Sequence, residues 1–202
     1  VTSVEAATSL KDGFFKEFTK SSSANTMTVK AESWYNPTMG YTGWTHHSNW
    51  GFMKLTAGLP VTIKVSTSVA GLHPAISVWY RDKKGKIDSI ANMNDHFYSP
   101  FNDIYEPNAI INDDPTNPIK IGKFKMEFIA NAFDRDGMVA PLAEKFDQSM
   151  LNRVVDGVAG SVELTFTPKK SGWHQFAVGA INPDDGVNKT ARHEVQVEVS
   201  FP

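Results

Sequence analysis

Pro60-Val61-Thr62-Ile63-Lys64-Val65-Ser66-Thr67-Ser68-Val69 alternates apolar and polar residues through its first half. Val61, Ile63 and Val65 share one face, and Thr62, Lys64 and Ser66 share the other. That is the two-residue period of a strand with one buried side. Working outward, the same pattern returns at 161–168, with Val162, Leu164 and Phe166 in step, and at 193–201, with Val195, Val197 and Val199. Further strands are expected at 26–33, within the aromatic-rich stretch 43–55, and at 75–81, 124–133 and 172–180. Alternating strands with one polar face pair as antiparallel sheets. Seven or more of them predict a mainly β fold, an antiparallel two-sheet sandwich.

Two stretches interrupt this pattern. Residues at about 91–120 carry no clear period and are rich in Asn, Asp and Pro, so a long irregular insertion is expected there. Residues at about 141–155 place Leu142, Phe146, Met150 or Leu151, and Val154 at helical spacing, between Pro141 and Asp156-Gly157. A helix is expected over that span, and a second, short one at 4–10. With no internal repeat or linker, 1–202 reads as a single domain.

Composition excludes several function classes. The 202 residues include 20 Lys plus Arg against 22 Asp plus Glu, a net charge of -2 that gives no basic face for nucleic acid. No apolar run is long enough to span a membrane. Cysteine is absent, which removes disulfides, thiolate metal sites and Cys nucleophiles. There is no Gly-x-Ser-x-Gly elbow, phosphate-binding Gly loop, dinucleotide fingerprint or His-Glu-x-x-His pair, and no two carboxylates stand out for acid–base work. A non-catalytic protein is expected. The sequence starts at Val1 without a leader, as a secreted chain does after removal of its signal peptide, and the aromatic-rich β pattern suits an extracytoplasmic location.

The densest chemistry is Tyr41-Thr42-Gly43-Trp44-Thr45-His46-His47-Ser48-Asn49-Trp50. In an extended chain Trp44 and His46 share a face and His47 points away. A Cys-free chain must hold a transition metal through His, carboxylate, Met or backbone ligands. A closed structural zinc site wants four protein ligands, whereas Cu(I) accepts low coordination numbers and is served by two imidazoles. The bland reading of the same residues is a solvated His pair beside a packing Trp.

This Trp-x-His element, in a Trp-rich and Cys-free β chain, resembles the CorA/MopE family of copper(I)-binding proteins from methane-oxidising bacteria, and the chain length is similar to that of its smaller, copper-repressible surface members. The resemblance implies a secreted protein on the outer-membrane surface that serves copper acquisition or storage. It implies Cu(I) held by two histidines, with the Trp two residues before the first of them oxidised to kynurenine. Carried across, these are Trp44 and His46. The motif does not fix the second histidine. His96, in the irregular stretch, is the first choice. His73 reads as turn chemistry before Pro74, His174 as packing on a strand, and His193 as exposed. His47 needs a bulge to share the metal. Met53 and Met93 are weaker thioether candidates.

Asp103, Glu106, Asp113 and Asp114 form an acidic stretch, and Asp134-Arg135-Asp136-Gly137 is similar to the start of a calcium loop, so one bound calcium is a further expectation. An outer-membrane protein is the expected partner for delivered copper. The competing reading is a non-catalytic sandwich module that binds carbohydrate or protein through exposed Trp34, Tyr35, Tyr41 and Trp50. A copper oxidoreductase lacks a third strong ligand.

Overall fold

The computed structural model describes residues 15–31, 33–34, 48–82, 103–110, 116, 120–138, 151–181, 186–188 and 190–202, with the side chains at 15, 106–110 and 120–122 excepted. Eleven strands run through them: β1 (Phe15–Glu17), β2 (Ala24–Val29), β3 (Asn49–Leu55), β4 (Val61–Ser66), β5 (His73–Tyr80), β6 (Ile104–Ile110), β7 (Lys120–Asp134), β8 (Arg153–Val154), β9 (Ser161–Phe166), β10 (Gly172–Ile181) and β11 (His193–Ser200). They build two sheets. The larger has the order β1-β3-β10-β5-β7-β6 with β8 alongside β7, and the smaller the order β2-β11-β4-β9. Pairing is antiparallel except for β1 with β3 and β7 with β8. The mainly β, two-sheet sandwich read from the alternation is what the chain forms.

The quoted stretch explains the smaller sheet. Val61, Ile63 and Val65 of β4 stand beside Val162, Leu164 and Phe166 of β9, and Val65 and Ile63 pair with Val197 and Val199 of β11. All of them are buried. Each fully buried aliphatic side chain contributes about 1.5–3 kcal/mol. The opposite face stays polar and wet, with Thr62 and Thr165 hydroxyls 2.7 Å apart and Thr26 donating to Gln196.

The central strands β3, β5 and β10 of the larger sheet are buried on both faces, so they read less cleanly. One face adds Met53, Ile76, Val78, Ala132, Phe176 and Val178 to the core between the sheets. The other carries an aromatic layer. Trp50 lies against Trp79 at 5.7 Å between ring centroids, Trp79 against Phe128, and Trp34 against Phe133. Trp34 Nε1 donates to Ser77 Oγ at 2.9 Å, which satisfies the indole inside an apolar layer.

Three expectations change. No helix occurs among the described residues. Residues 141–150 and 4–10 lie outside them, but Arg153–Val154, expected as the end of a helix, is a strand parallel to the end of β7. Phe133 N–H donates to Asn152 O and Arg135 N–H to Val154 O, so pairing with a sheet edge overrides the helical spacing of Leu151 and Val154. Within the expected irregular insertion, Ile104–Ile110 forms β6 on β7, with register shifts that explain why no clean period was legible. Trp34 and Trp50 are fully buried, so they are core aromatics and not an exposed binding platform; Tyr35 and Tyr41 lie outside the described residues.

Candidate metal centre

Trp44, His46 and His47 fall in 35–47, and Met93 and His96 in 83–102, both outside the described residues. The described structure does show what holds the ends of these segments. Before 35–47, Ser33 N–H donates to Lys30 O, Trp34 N–H donates to Ala180 O at 3.0 Å, and Ser33 Oγ accepts the Ala180 N–H at 3.1 Å. After it, Ser48 Oγ donates to Ser33 O at 3.0 Å, and Asn49 Nδ2 donates to Thr28 O. Gly179 permits this approach. A Cβ there would lie 2.8 Å from both Ser33 Oγ and Trp34 Cβ. Both ends of the Trp44/His46 segment are therefore fastened to one place, at the Val178–Ile181 end of β10.

The segment carrying His96 leaves β5 through Arg81 and Asp82, where Arg81 N–H and Asp82 N–H both reach Trp173 O. It returns at Asp103, whose Oδ1 accepts the Phe128 N–H at 2.7 Å. That carboxylate oxygen serves the backbone at the entry to β6.

Of the other histidines, His73 is buried, not part of an open turn. It opens β5, and its Nδ1 lies 3.3 Å from Asp134 Oδ2. His174 is buried on β10, with Nδ1 3.0 Å from Gly172 O and its ring edge-on to Tyr80. His193 Nε2 lies 2.7 Å from Asn188 O. His73 pairs with Ile181 and His174 with Tyr80, so they sit at opposite ends of the same pair of strands, about 23 Å apart at ~3.3 Å per residue, and cannot share an ion. Met53 is a core residue opposite His174.

The acidic turn after β7 has a different use. Asp134 Oδ2 accepts the Gly160 N–H at 2.6 Å, and Oδ1 accepts the Asp136 N–H. Asp136 Oδ2 accepts the N–H groups of Asp156 and Gly157 at 2.9 and 3.0 Å. The Asp156 amide, followed by that of Gly157, holds the Asp136 carboxyl below the usual aspartate range. Backbone amides take the oxygens that a calcium loop would offer, and the turn clasps β7 of one sheet to the entry of β9 in the other. Among the described residues, no three His, Asp or Glu side chains gather in a metal-binding group. Asp113 and Asp114 lie outside them. The packing role read for His174 on its strand is what its burial shows, whereas the sequence reading did not pick out this clasp. An Asp-x-Asp-Gly stretch followed some twenty residues later by Asp-Gly was the available signal for the clasp.

Residues 5–188 match the family of copper(I)-binding, CorA-like proteins, and the chain belongs to that family. Among solved structures it is similar to CorA of Methylomicrobium album BG8, described as a surface-associated copper-binding protein important in copper acquisition. The identity is 51%, the TM-score 0.80, and the match covers 93% of this chain and 98% of that one. A second is mercury-soaked MopE, a secreted protein of Methylococcus capsulatus in which an oxidised tryptophan facilitates copper binding. There the identity is 18%, the TM-score 0.60 and the coverage 92% and 87%, a likeness of fold. A comparison with curated proteins gave no significant match.

Proposed function

We propose that this protein captures Cu(I) outside the cell, at the outer-membrane surface, for copper acquisition or storage, with His46 and His96 as ligands and Trp44 beside the metal as a ring open to oxidation to kynurenine. The observation that carries the reading is family membership across 5–188, a span that contains all three residues, reinforced by 51% identity to a surface-associated copper-binding protein.

Physical chemistry supports the arrangement. His46 is two peptide units from the fastened Ser48, so connectivity keeps its Cα within about 7.6 Å of that anchor. His96 lies seven residues before the fastened Asp103, so it reaches up to about 23 Å from that anchor at ~3.3 Å each, enough to cross several strands spaced ~4.8 Å apart. Two imidazoles suit a soft, singly charged ion better than Cu(II). Bound copper would activate dioxygen beside the Trp44 ring; dioxygen would supply the two oxygen atoms that cleave the indole C2–C3 bond, and hydrolysis would then release C2 as formate, leaving an aryl ketone and an aromatic amine able to ligate or hydrogen-bond. No catalytic turnover is required of such a site. In this reading an outer-membrane protein receives the copper, and a calcium ion at Asp103, Glu106, Asp113 and Asp114 orders the stretch near β6.

The test is elemental analysis with Cu(I) titration of wild type, His46→Ala and His96→Ala, beside peptide mass mapping of Trp44. One copper per chain, lost in both variants, supports the assignment. Undiminished binding in His96→Ala refutes His96 as the second ligand. A protein that refuses Cu(I) and retains an intact indole refutes the function. The aromatic-platform reading has little left, because Trp34 and Trp50 face the interior.

A further inference from the structure

At one end of the sandwich the inter-sheet core stops short. Tyr80, residues 127–130 of β7 and His174 on one side face residues 166, 167, 169 and 170 on the other, across a cleft of about 300 Å³. His174 has the strand parity of Phe176 and Val178, so its ring points between the sheets, and it lines the cleft while remaining fully buried. Its Nδ1 faces the Gly172 carbonyl, which can only accept. Nδ1 therefore carries the hydrogen, and Nε2 keeps a bare lone pair. Among the described residues no hydrogen-bond partner meets that Nε2.

An unpaired buried acceptor is unfavourable, because it has given up water and gained no donor in return. A residue needed only for packing avoids that cost by being Phe or Leu. Burial also pushes the imidazole pKa down, against a smaller upward effect of the Gly172 carbonyl, so the ring stays a neutral acceptor.

The surroundings define a complement. The Tyr80 ring centroid lies 5.2 Å and that of Phe166 6.4 Å from His174, and Ile129 adds an aliphatic wall. Ile129 is the unpaired residue of a β-bulge: Val78 pairs with Ala130 and Trp79 with Phe128. Bulges commonly re-aim side chains beside a site. Lys169 and Lys170 stand at the mouth, exposed. Lys170 bonds Glu127 at 2.7 Å and sits over the Tyr80 ring. The adjoining groove, lined by Arg81, Lys123 and Lys125 with Asp82, leaves the approach net positive.

We propose that this cleft binds a small aromatic acid bearing a hydroxyl or N–H donor on its ring: the ring against Tyr80 and Phe166, the donor on His174 Nε2, and the acid group at Lys169 and Lys170. The volume suits a single ring with a short side chain, and none of these residues belongs to the copper assignment.

The probe is 4-hydroxyphenylacetate, titrated into the full chain by calorimetry and by 15N NMR of the histidine rings. Its controls are 4-methoxyphenylacetate, which lacks the donor, and 4-hydroxybenzyl alcohol, which lacks the acid. Saturable binding is expected, about tenfold weaker for the methoxy compound, the worth of one hydrogen bond to a buried acceptor. The His174 Nε2 resonance should shift with both phenols, the acid and the alcohol, and not with the methoxy compound. His174→Phe should abolish the hydroxy/methoxy difference, and Lys170→Gln should weaken the acid but not the alcohol. If His174→Phe does not fold, the wild-type ligand series and the Nε2 shift decide. Equal binding of hydroxy and methoxy compounds, an unmoved Nε2 resonance, or a cleft that takes only water overturns the proposal.

Discussion

Gly179→Ala places a methyl group where the fold has left no room. The added Cβ would stand 2.8 Å from Ser33 Oγ, 2.8 Å from Trp34 Cβ and 2.9 Å from the Trp34 backbone nitrogen. Two of these three atoms belong to the main chain or its first side-chain carbon, so rotamer change offers no escape. Overpacking of this kind costs about 1–3 kcal/mol. Moving Ser33 and Trp34 aside also strains the bond from Trp34 N–H to Ala180 O or that from Ala180 N–H to Ser33 Oγ, worth about 1 kcal/mol. The expected loss is about 2–4 kcal/mol, or roughly 5–15 °C in unfolding midpoint for a chain of this size. The same two residues fasten the start of the Trp44/His46 segment, so Cu(I) affinity, read by competition with a chromophoric chelator, should fall in the folded variant as well. Gly58→Ala is the control. It has φ +81° but nothing within 4 Å, so it meets only a backbone penalty of about 1–2 kcal/mol and should leave copper untouched. A Gly179→Ala midpoint within about 2 °C of wild type would refute the packing argument. Unchanged copper affinity in a destabilised variant would refute the anchoring argument.

Gly51→Ala should lower stability by about 2–4 kcal/mol in urea unfolding, because the Phe176 ring lies over Gly51 with Cζ 2.1 Å from the ideal Cβ; adding Phe176→Leu should recover part of the loss. Asp134→Asn should cost about 2–3 kcal/mol, since the amide must turn an NH2 group toward an N–H donor that the carboxylate accepts, from Gly160 or from Asp136. Calorimetry of the variant checks it, and a loss below about 1 kcal/mol contradicts the clasp. His174 has a lowered pKa in the native state, so below about 6.5 the unfolded chain takes up a proton that the native one does not. Stability should then fall with pH by up to about 1.4 kcal/mol per unit. His174→Phe should flatten that slope while Tyr80, Glu127 and Lys170 remain in place.

Sequence alone made the smaller sheet legible, because one of its faces is wet. Alternation at Val61, Ile63 and Val65 or at Val195, Val197 and Val199 needs no more than the period of a strand. The larger sheet was harder to read. On β10 almost every residue from His174 to Ile181 is buried, so polarity no longer marks inside from outside. Trp34 and Trp50 were weighed as surface aromatics for the same reason: composition cannot show that a sheet is covered on both sides. Arg153 and Val154 obeyed helical spacing but lie beside the end of β7, where tertiary pairing wins. For the metal centre, a short motif singles out Trp44 and His46, and both lie within the span 5–188 that the family match covers. His96 rests on its segment and on reach, as no local pattern joins residues that far apart in the chain. His73 looked like turn chemistry because its partner, Asp134, is sixty-one positions away.

β7 and β9 meet along one side of the sandwich, and carboxylates fasten that seam at two points. Asp134 to Gly160 is buried, while Glu127 to Lys170 lies at the surface beside the cleft. Dissolved salt screens the second and scarcely touches the first. Ionic strength thus acts on this molecule at a definite address: raising it slackens one end of the seam, beside His174, and leaves the other tied.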